Sequence, residues 1–488
     1  LLIQVILAES KEEFLRDYRS ACEAADLVEL RLDRLAASDV ADLFAVEGKP
    51  RIAACRSRAQ GGFFSGSEPQ RRAVLQQAIA AGSEFVDLEF ESDDEELLKD
   101  AGRSRAILSC HRRGGTPADL ESIYRRMAER APGAILKLIP YADACSDNLR
   151  VRDVLHHART EGRDLIAFCM GERGKASRIL ASAWGSWGVY APARPEAATA
   201  PGQLLLTEMS DLYRVKDLDE KTPVAGVLGH PVSGSLSPLL YNRAYRQLGL
   251  PGVFIPFEAE SVAEFLPLLS ELPITGLAIT HPHKHSLVRH CDELEPVAGE
   301  VGAVNTAVRT WNRLVGYNTD VEGVLRPLQR LMSLKGSRVG ILGAGGAAAA
   351  AAYACARAGA RVSLFARTPE KAAPTAQRLG CDVKPFTEAR RFRGALLVNA
   401  TPVGMDSDRD PNILGWEEAR AEVACDLVYH PPETAFLREA RRAGAKIVSG
   451  VEVFLEQAVL QFPLLTGQEA PRALFETLLA APPGKEPA

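Results

Sequence analysis

RVGILGAGGAAAAAAYACARAGARVSLFART, residues 338–368, holds two kinds of local order separated by a glycine turn. The apolar run RVGIL predicts a strand ending at Gly343, Gly345 and Gly346. The alanine-rich segment that follows predicts a helix, and RVSLF a second strand that stops at Ala366-Arg367-Thr368. In a strand–turn–helix–strand unit of this kind, a dinucleotide pyrophosphate rests on the helix N-terminus, where unpaired N–H groups point outward. Gly343 then allows the tight turn and Gly345 the close approach of backbone to phosphate. Ala348 is the third small position, and Ala344, Gly346 and Ala347 complete the cradle. A site that prefers an unphosphorylated ribose carries Asp or Glu roughly 20 residues on. Here Arg367 occupies that place, with Thr368 beside it and Lys371 nearby. A cationic clamp on a 2′-phosphate is expected, hence NADP(H) over NAD(H). The glycines alone leave open a tight turn that binds nothing.

The chain of 488 residues is long enough for two to four domains. Its 46% hydrophobic and 25% charged residues are those of a globular chain. A net charge of −5 without a long basic run argues against a nucleic-acid partner. No stretch of about 18 strongly apolar residues occurs, so no membrane span is expected; 342–360 is alanine and glycine, interrupted by Arg357. The opening LLIQVIL is too short for a secretory signal core and follows no basic residues. The nine cysteines are scattered singly, and Cys55, Cys110, Cys169 and Cys425 lie in apolar runs. That pattern predicts reduced, buried thiols in a cytoplasmic setting. His281, His283 and His285 alternate but lack acidic or cysteine partners at ligand spacing, so no metal is expected.

Eight β-rich runs recur through the first half: 2–7, 27–33, 51–56, 85–90, 105–110, 134–140, 165–170 and 187–192. Helical patterns separate most of them, which predicts a (β/α)₈ barrel. Barrel chemistry gathers at the C-terminal ends of the strands. Those ends carry Glu29, Arg31, Arg56, Glu89, His111, Lys137 and Met170. Lys137 is flanked by Ile135, Leu136, Leu138 and Ile139. Burial disfavours its charged form and favours a free amine that attacks carbonyl carbon. A snorkelling or ion-paired lysine is the alternative. His111, at the neighbouring strand end, supplies a general acid and base.

VELRLD, ACRSRAQGG, LSCHRR, ILKLIP, ASRI and TAPGQ, in this order, resemble type I 3-dehydroquinate dehydratase. The resemblance implies that Lys137 forms a Schiff base with the substrate ketone while His111 shuttles protons as water is eliminated. It places Glu29, Arg31, Arg56, Arg178, Thr199 and Gln203 around the substrate, with Arg178 on its carboxylate. Gln60 stands where the family has a glutamate paired with the histidine. Thr199 replaces a serine and Arg112 an expected aspartate.

The polar segment KDLDEK, 216–221, reads as a linker, and a new strand begins at 224. Ser235 and Ser237 precede a helix opened by Pro238, which suits a carboxylate or an ordinary cap. GLAITHPHK, GAVNTAV, GYNTD, VNATPVGM, DLVYHPPET and SGVEVFLEQAVLQF together resemble shikimate dehydrogenase across nearly all of 223–480. The resemblance implies Lys284 and Asp320 as the catalytic pair, and Ser235 and Ser237 on the shikimate carboxylate. It puts Thr280, Asn305 and Gln457 on ring hydroxyls, Tyr429 beside the substrate, and Thr401 and Gly450 beside the cofactor. Ala278 and Ala366 replace asparagines of the family pattern.

The expected fold is α/β: a dehydratase TIM barrel over 1–215, a linker at 216–222, and a two-domain dehydrogenase module. In that module a substrate domain spans 223–325, completed by helices at about 452–480, and a Rossmann NADP domain spans 326–451. The expected function is dehydration of 3-dehydroquinate followed by NADPH-dependent reduction of 3-dehydroshikimate to shikimate, in the cytoplasm, or in the plastid stroma for a mature plant form. The alternatives are one active half, with the second acting as a quinate/shikimate dehydrogenase, or a non-catalytic metabolite sensor. Sequence gives no oligomeric state.

Overall fold

A computed structural model describes residues 1–92, 94–99, 104–405, 413–414 and 419–480. The short tail PPGKEPA, 482–488, lies outside the described residues. The chain divides into two compact units. One is Leu1–Thr222 with Ile255–Ala259 and Ala263–Pro273; the other is Pro223–Phe254 with Glu260–Val262 and the chain from Ile274 onward.

The eight runs of the first half form strands β1 (Leu2–Leu7), β2 (Leu27–Arg31), β3 (Arg51–Ala54), β4 (Phe85–Glu89), β5 (Arg105–Arg112), β6 (Ile135–Pro140), β7 (Leu165–Ala167) and β8 (Val189–Pro192). They lie in the order β7-β6-β5-β4-β3-β2-β1-β8, with every recorded pairing parallel. This is the expected barrel, open at one seam: among the described residues β7 and β8 share no ladder. β7 is shorter than its apolar run because Met170 leaves it to bridge Tyr141. Side chains on a strand alternate between its faces. Val28, Leu30, Ala53, Val86 and Leu88 therefore pack outward with Phe14, Tyr18, Val74 and Leu75 of the helices Lys11–Ala24 and Glu68–Ala80. The alternate positions Glu29, Arg31, Asp87 and Glu89 are left to the barrel interior. Ser10 caps the first of these helices, and Ser67 with Gln70 forms a capping box on the second. After the barrel strands the chain makes a single π turn, Glu208–Leu212, in which the Tyr213 N–H reaches back five residues to the Glu208 carbonyl.

The second half contains β9 (Val224–Gly229), β10 (Val253–Glu258), β11 (Ile274–Ile279), β12 (Glu293–Leu294), β13 (Thr306–Thr310) and β14 (Arg313–Tyr317), in the mixed order β10-β9-β11-β13-β14-β12. Next come β15 (Arg338–Leu342), β16 (Arg361–Ala366), β17 (Asp382–Pro385), β18 (Arg393–Asn399), β19 (Arg420–Asp426) and β20 (Lys446–Val448). These form a parallel sheet in the order β17-β16-β15-β18-β19-β20. The order reverses between β15 and β18, and ligands of open α/β sheets bind in the crevice at such a switch. Helix Gly346–Arg357 buries Ala348–Ala352, Ala354 and Cys355 against this sheet, where alanine combines high helix propensity with close packing. Phe454, Ala458, Phe462, Phe475 and Leu478 of the last two helices join the apolar cluster of Ala225, Val227, Leu240 and Tyr241. No helix among the described residues is long and apolar enough to cross a membrane.

Candidate active sites

One cavity at the barrel mouth is lined by Glu29, Arg31, Arg56, His111, Lys137, Arg178, Thr199 and Gln203, all eight residues expected there. Gln60, Phe168 and Tyr190 line it too. Lys137, 4% exposed, places Nζ 2.9 Å from Glu29 Oε2 and 3.1 Å from Asp87 Oδ2. The same nitrogen lies 3.9 Å from the centre of the Tyr190 ring. Its surroundings are thus not the apolar ones its neighbours suggest, because Leu136 and Leu138 face the other side of β6. Asp87 also accepts a 2.6 Å hydrogen bond from Arg56 Nη2 and one from Ser109. Burial pushes the Asp87 carboxyl up, but Arg56 and Lys137 overcome this and hold it below the ordinary range. Asp87 and Tyr190 were not among the residues expected at the site. The signal for Asp87 was present in FVDLE, where it shares a face with Glu89.

Arg31 is held by a two-pronged pair with Asp33, both bonds 2.8 Å, and Asp33 also accepts the Phe63 N–H at 2.9 Å. Gln203 Oε1 accepts from the Thr199 and Ala200 N–H groups and so fixes the loop between them. The Gln60 side chain does not reach the imidazole. Its Oε1 accepts the His111 backbone N–H at 3.0 Å, while its Nε2 donates to Glu91, which is ion-paired with Arg112. His111 Nδ1 is buried without a hydrogen-bond partner. Burial first, then Arg56 and Lys137, hold this imidazole well below 6.5. Arg178, 2% exposed, donates from Nη2 to the Pro201 carbonyl and lies over the Phe168 ring, while its Nε has no partner. Burial lowers this guanidinium to about 10. A buried cation with no carboxylate paired to it among the described residues suits an anionic ligand.

A second cluster surrounds Lys284, in the turn after β11. Its Nζ meets Asp320 Oδ2 at 2.5 Å, the two side chains being 17% and 14% exposed. Asp320 opens the helix Asp320–Leu331, where the dipole favours a carboxylate. Asn305 Nδ2 donates to Asp320 Oδ1 at 2.8 Å and to Gln457 Oε1 at 3.3 Å. The Ser237 N–H donates to Ser235 Oγ, and burial pushes the Tyr429 hydroxyl up, with Ser235 acting against it. Tyr429 stacks on Phe454 with ring centres 4.7 Å apart. Thr280 follows β11 directly, its N–H bonded to the Leu228 carbonyl. Ala278 lies in the apolar cluster.

The glycine turn fits a dinucleotide. Gly343 has φ +111°, a left-handed conformation that glycine adopts freely. A Cβ on Gly345 would meet nothing within 4 Å, which leaves its backbone open to a phosphate. The helix that starts at Gly346 has no side-chain cap, so its first N–H groups are available. Ala344, between the first two glycines of the turn, is half-buried, as is Ala347. Ala348 is wholly buried and serves helix–sheet packing instead of ligand contact. Arg367, Thr368 and Lys371 are exposed just beyond β16, as a clamp on a 2′-phosphate requires. Thr401 donates to Asn399 Oδ1, and its methyl faces Gly343. Gly450 begins the helix Gly450–Thr466, where an added Cβ would lie 2.1 Å from the Val428 carbonyl oxygen. Among the described residues no group of three His, Cys, Asp or Glu could hold a metal ion.

Comparison with known proteins gives matches over both halves. The type I 3-dehydroquinase family model matches residues 3–220. The shikimate dehydrogenase substrate-binding-domain model matches 227–307, and a model described as NADP oxidoreductase, coenzyme F420-dependent, matches 338–404. The chain is 30% identical to the chloroplastic bifunctional 3-dehydroquinate dehydratase/shikimate dehydrogenase of Arabidopsis thaliana, over 98% of this chain and 84% of that one. It is 38% identical to the shikimate dehydrogenase (NADP(+)) of Methanothermobacter thermautotrophicus, over 53% of this chain and 96% of that protein. Shikimate 5-dehydrogenase from Thermus thermophilus, solved with NADP(H) and shikimate, is 37% identical over 52% of this chain and 97% of its own, with a TM-score of 0.47.

Proposed function

We propose that this chain, which belongs to the bifunctional 3-dehydroquinate dehydratase/shikimate dehydrogenase family, dehydrates 3-dehydroquinate in its barrel and reduces the resulting 3-dehydroshikimate to shikimate with NADPH in its second half. The observation that carries the reading is Arg178: a buried guanidinium whose Nε has no partner among the described residues, in one cavity with Lys137 and His111.

In the barrel, Arg178 takes the substrate carboxylate. Lys137 passes a proton to Glu29, 2.9 Å away, while Asp87 stays an anion beside it. Its Nζ adds to the ketone carbon, and water leaves as the imine forms. The iminium acidifies the adjacent carbon, and His111 takes that proton. An imidazole held below its usual value is in the neutral form this step needs. His111 returns the proton to the departing hydroxyl, which leaves as water. Hydrolysis then frees the product and the amine, so one water is lost overall. Arg31, Arg56, Thr199 and Gln203 hold the ring.

In the second half, bound NADPH supplies the hydride. Lys284 steadies the oxygen that gains charge and gives it a proton; Asp320 orients the lysine. Ser235, Ser237 and Tyr429 hold the carboxylate, and Thr280, Asn305 and Gln457 hold the hydroxyls. Gly343–Ala347 cradle the pyrophosphate, Arg367, Thr368 and Lys371 clamp the 2′-phosphate, and Thr401 and Gly450 flank the nicotinamide side. The functional division follows 1–215, 216–222, 223–325 with about 452–480, and 326–451. The nine free cysteines suit a reducing compartment such as the cytoplasm.

The full chain given 3-dehydroquinate should oxidise NADPH. Lys137→Ala should stop this until 3-dehydroshikimate is supplied, and Lys284→Ala should let 3-dehydroshikimate accumulate. Borohydride added with substrate should leave a stable adduct on the peptide containing Lys137. Parental behaviour in both variants overturns the assignments.

A further inference from the structure

Gly345 and Gly346 are adjacent, yet their missing side chains face different neighbours. A Cβ on Gly345 would enter open space. A Cβ on Gly346 would fall 2.6 Å from Lys284 Cβ, 3.2 Å from its Cδ and 3.4 Å from its Cγ. The first contact is with the root of the side chain, which moves only if the backbone moves. That backbone is held: the Val304 N–H donates to the Lys284 carbonyl at 2.8 Å, and the next residue, His285, bonds the Gly302 carbonyl through Nδ1. At its far end the lysine is paired with Asp320, which is itself bonded to Asn305. Lys284 thus runs from a fixed root, past the first residue of the nucleotide helix, to a fixed tip.

The geometry points to Gly346 as a positioning residue for Lys284: it is small so that the lysine can pass, while Gly345 is small so that a phosphate can approach. The inference rests on the proposed role of Lys284 in reducing the ketone. A methyl at 346 must displace Lys284 or the helix start, and a displacement of about 1 Å at a reacting group costs roughly 10²-fold in rate. A methyl at 345 intrudes only where a ligand would lie.

The test uses the full chain, with its dehydratase activity as a control for folding. Gly346→Ala should lower kcat for 3-dehydroshikimate reduction roughly 10²-fold, and should raise the KM for NADPH less than Gly345→Ala does. Gly345→Ala should chiefly raise that KM. In the Lys284→Met background, adding Gly346→Ala should cost nothing further, since residues acting through one group are non-additive. A Gly346→Ala variant that raises the NADPH KM and keeps its kcat overturns the inference. So does a further loss in the Lys284→Met background. If Lys284→Met alone reduces substrate at the parental rate, the proposed role of Lys284 fails instead, and the two failures are told apart.

Discussion

Two lysines meet carboxylates in this chain, in very different surroundings. Lys137 rises from the middle of a barrel strand, 4% exposed, between Glu29 and Asp87 and against the Tyr190 ring. Lys284 lies in a turn, its side chain 17% exposed, with Asp320 as its one ion-pair partner among the described residues. Taking an ammonium out of water costs several kcal/mol unless partners compensate. The buried amine has one carboxylate, Glu29, to receive its proton and little water to compete with a ketone. The partly exposed amine needs only to remain a cation and give up one proton. Burial and partner number therefore divide a nucleophile from an acid.

The sharpest break of this comparison is exchange of the two roles. Lys137→Arg keeps a cation but removes the nucleophile, so dehydration should fall by more than about 10⁴-fold. Lys284→Met should lower reduction by about 10²–10⁴-fold, the range of a lost general acid. Each variant should leave the other half at its parental rate. Separate assays with 3-dehydroquinate and 3-dehydroshikimate decide it, and dehydration surviving in Lys137→Arg ends the nucleophile reading.

A smaller effect separates binding from stability. Arg178→Met should cost about 2–5 kcal/mol in kcat/KM for dehydration, the scale for losing one partner of a buried charge pair. The unliganded barrel should melt higher, because a desolvated guanidinium with an unpartnered Nε is removed. A lower melting temperature would show that the Pro201 and Phe168 contacts matter more. In the second half, Arg367→Ala should cost about 1.5–3 kcal/mol in NADPH binding, the worth of hydrogen bonds to a charged group. NADH should bind as before, since it has no 2′-phosphate; equal losses for both cofactors would remove Arg367 from the clamp.

Much of this was legible in the chain, for reasons that also mark where legibility ended. The glycine turn and the eight β-rich runs are local patterns, and local patterns survive folding. The barrel residues were visible because each interrupts or ends an apolar run, Lys137 from the middle of ILKLIP. Asp87 was not, because its carboxylate lies inside the run FVDLE and matters only once β3 and β6 bring Arg56 and Lys137 to it. The departure at Gln60 was visible, but not its bond to the His111 backbone, a contact across 51 residues. Nor did the sequence separate Gly345 from Gly346. A glycine carries no record of what it makes room for, and that neighbour, Lys284, lies far earlier in the chain.

The smallest predicted effect sets the halves against each other in acid. His111 is held well below 6.5, chiefly by burial. As pH falls through about 6.5, the unfolded chain takes up a proton that the native barrel refuses, so this group's contribution to stability is lost. Asp426, wholly buried at the end of β19, is raised by burial from 3.8 to about 6, against the bonds from Thr434, Val428 and Asn399. As pH falls through about 6, the native nucleotide-binding sheet takes up a proton before the unfolded chain does, so stability is gained until about 3.8. Just below about pH 6 the two groups act with opposite sign, each bounded by about 1.4 kcal/mol per pH unit. His111→Gln should flatten the acid loss of the barrel, and Asp426→Asn the acid gain of the sheet, in urea unfolding followed by hydrogen exchange in each half. A common slope in both halves, unchanged by either substitution, would mean that the native carboxylate network around Lys137 governs acid stability instead.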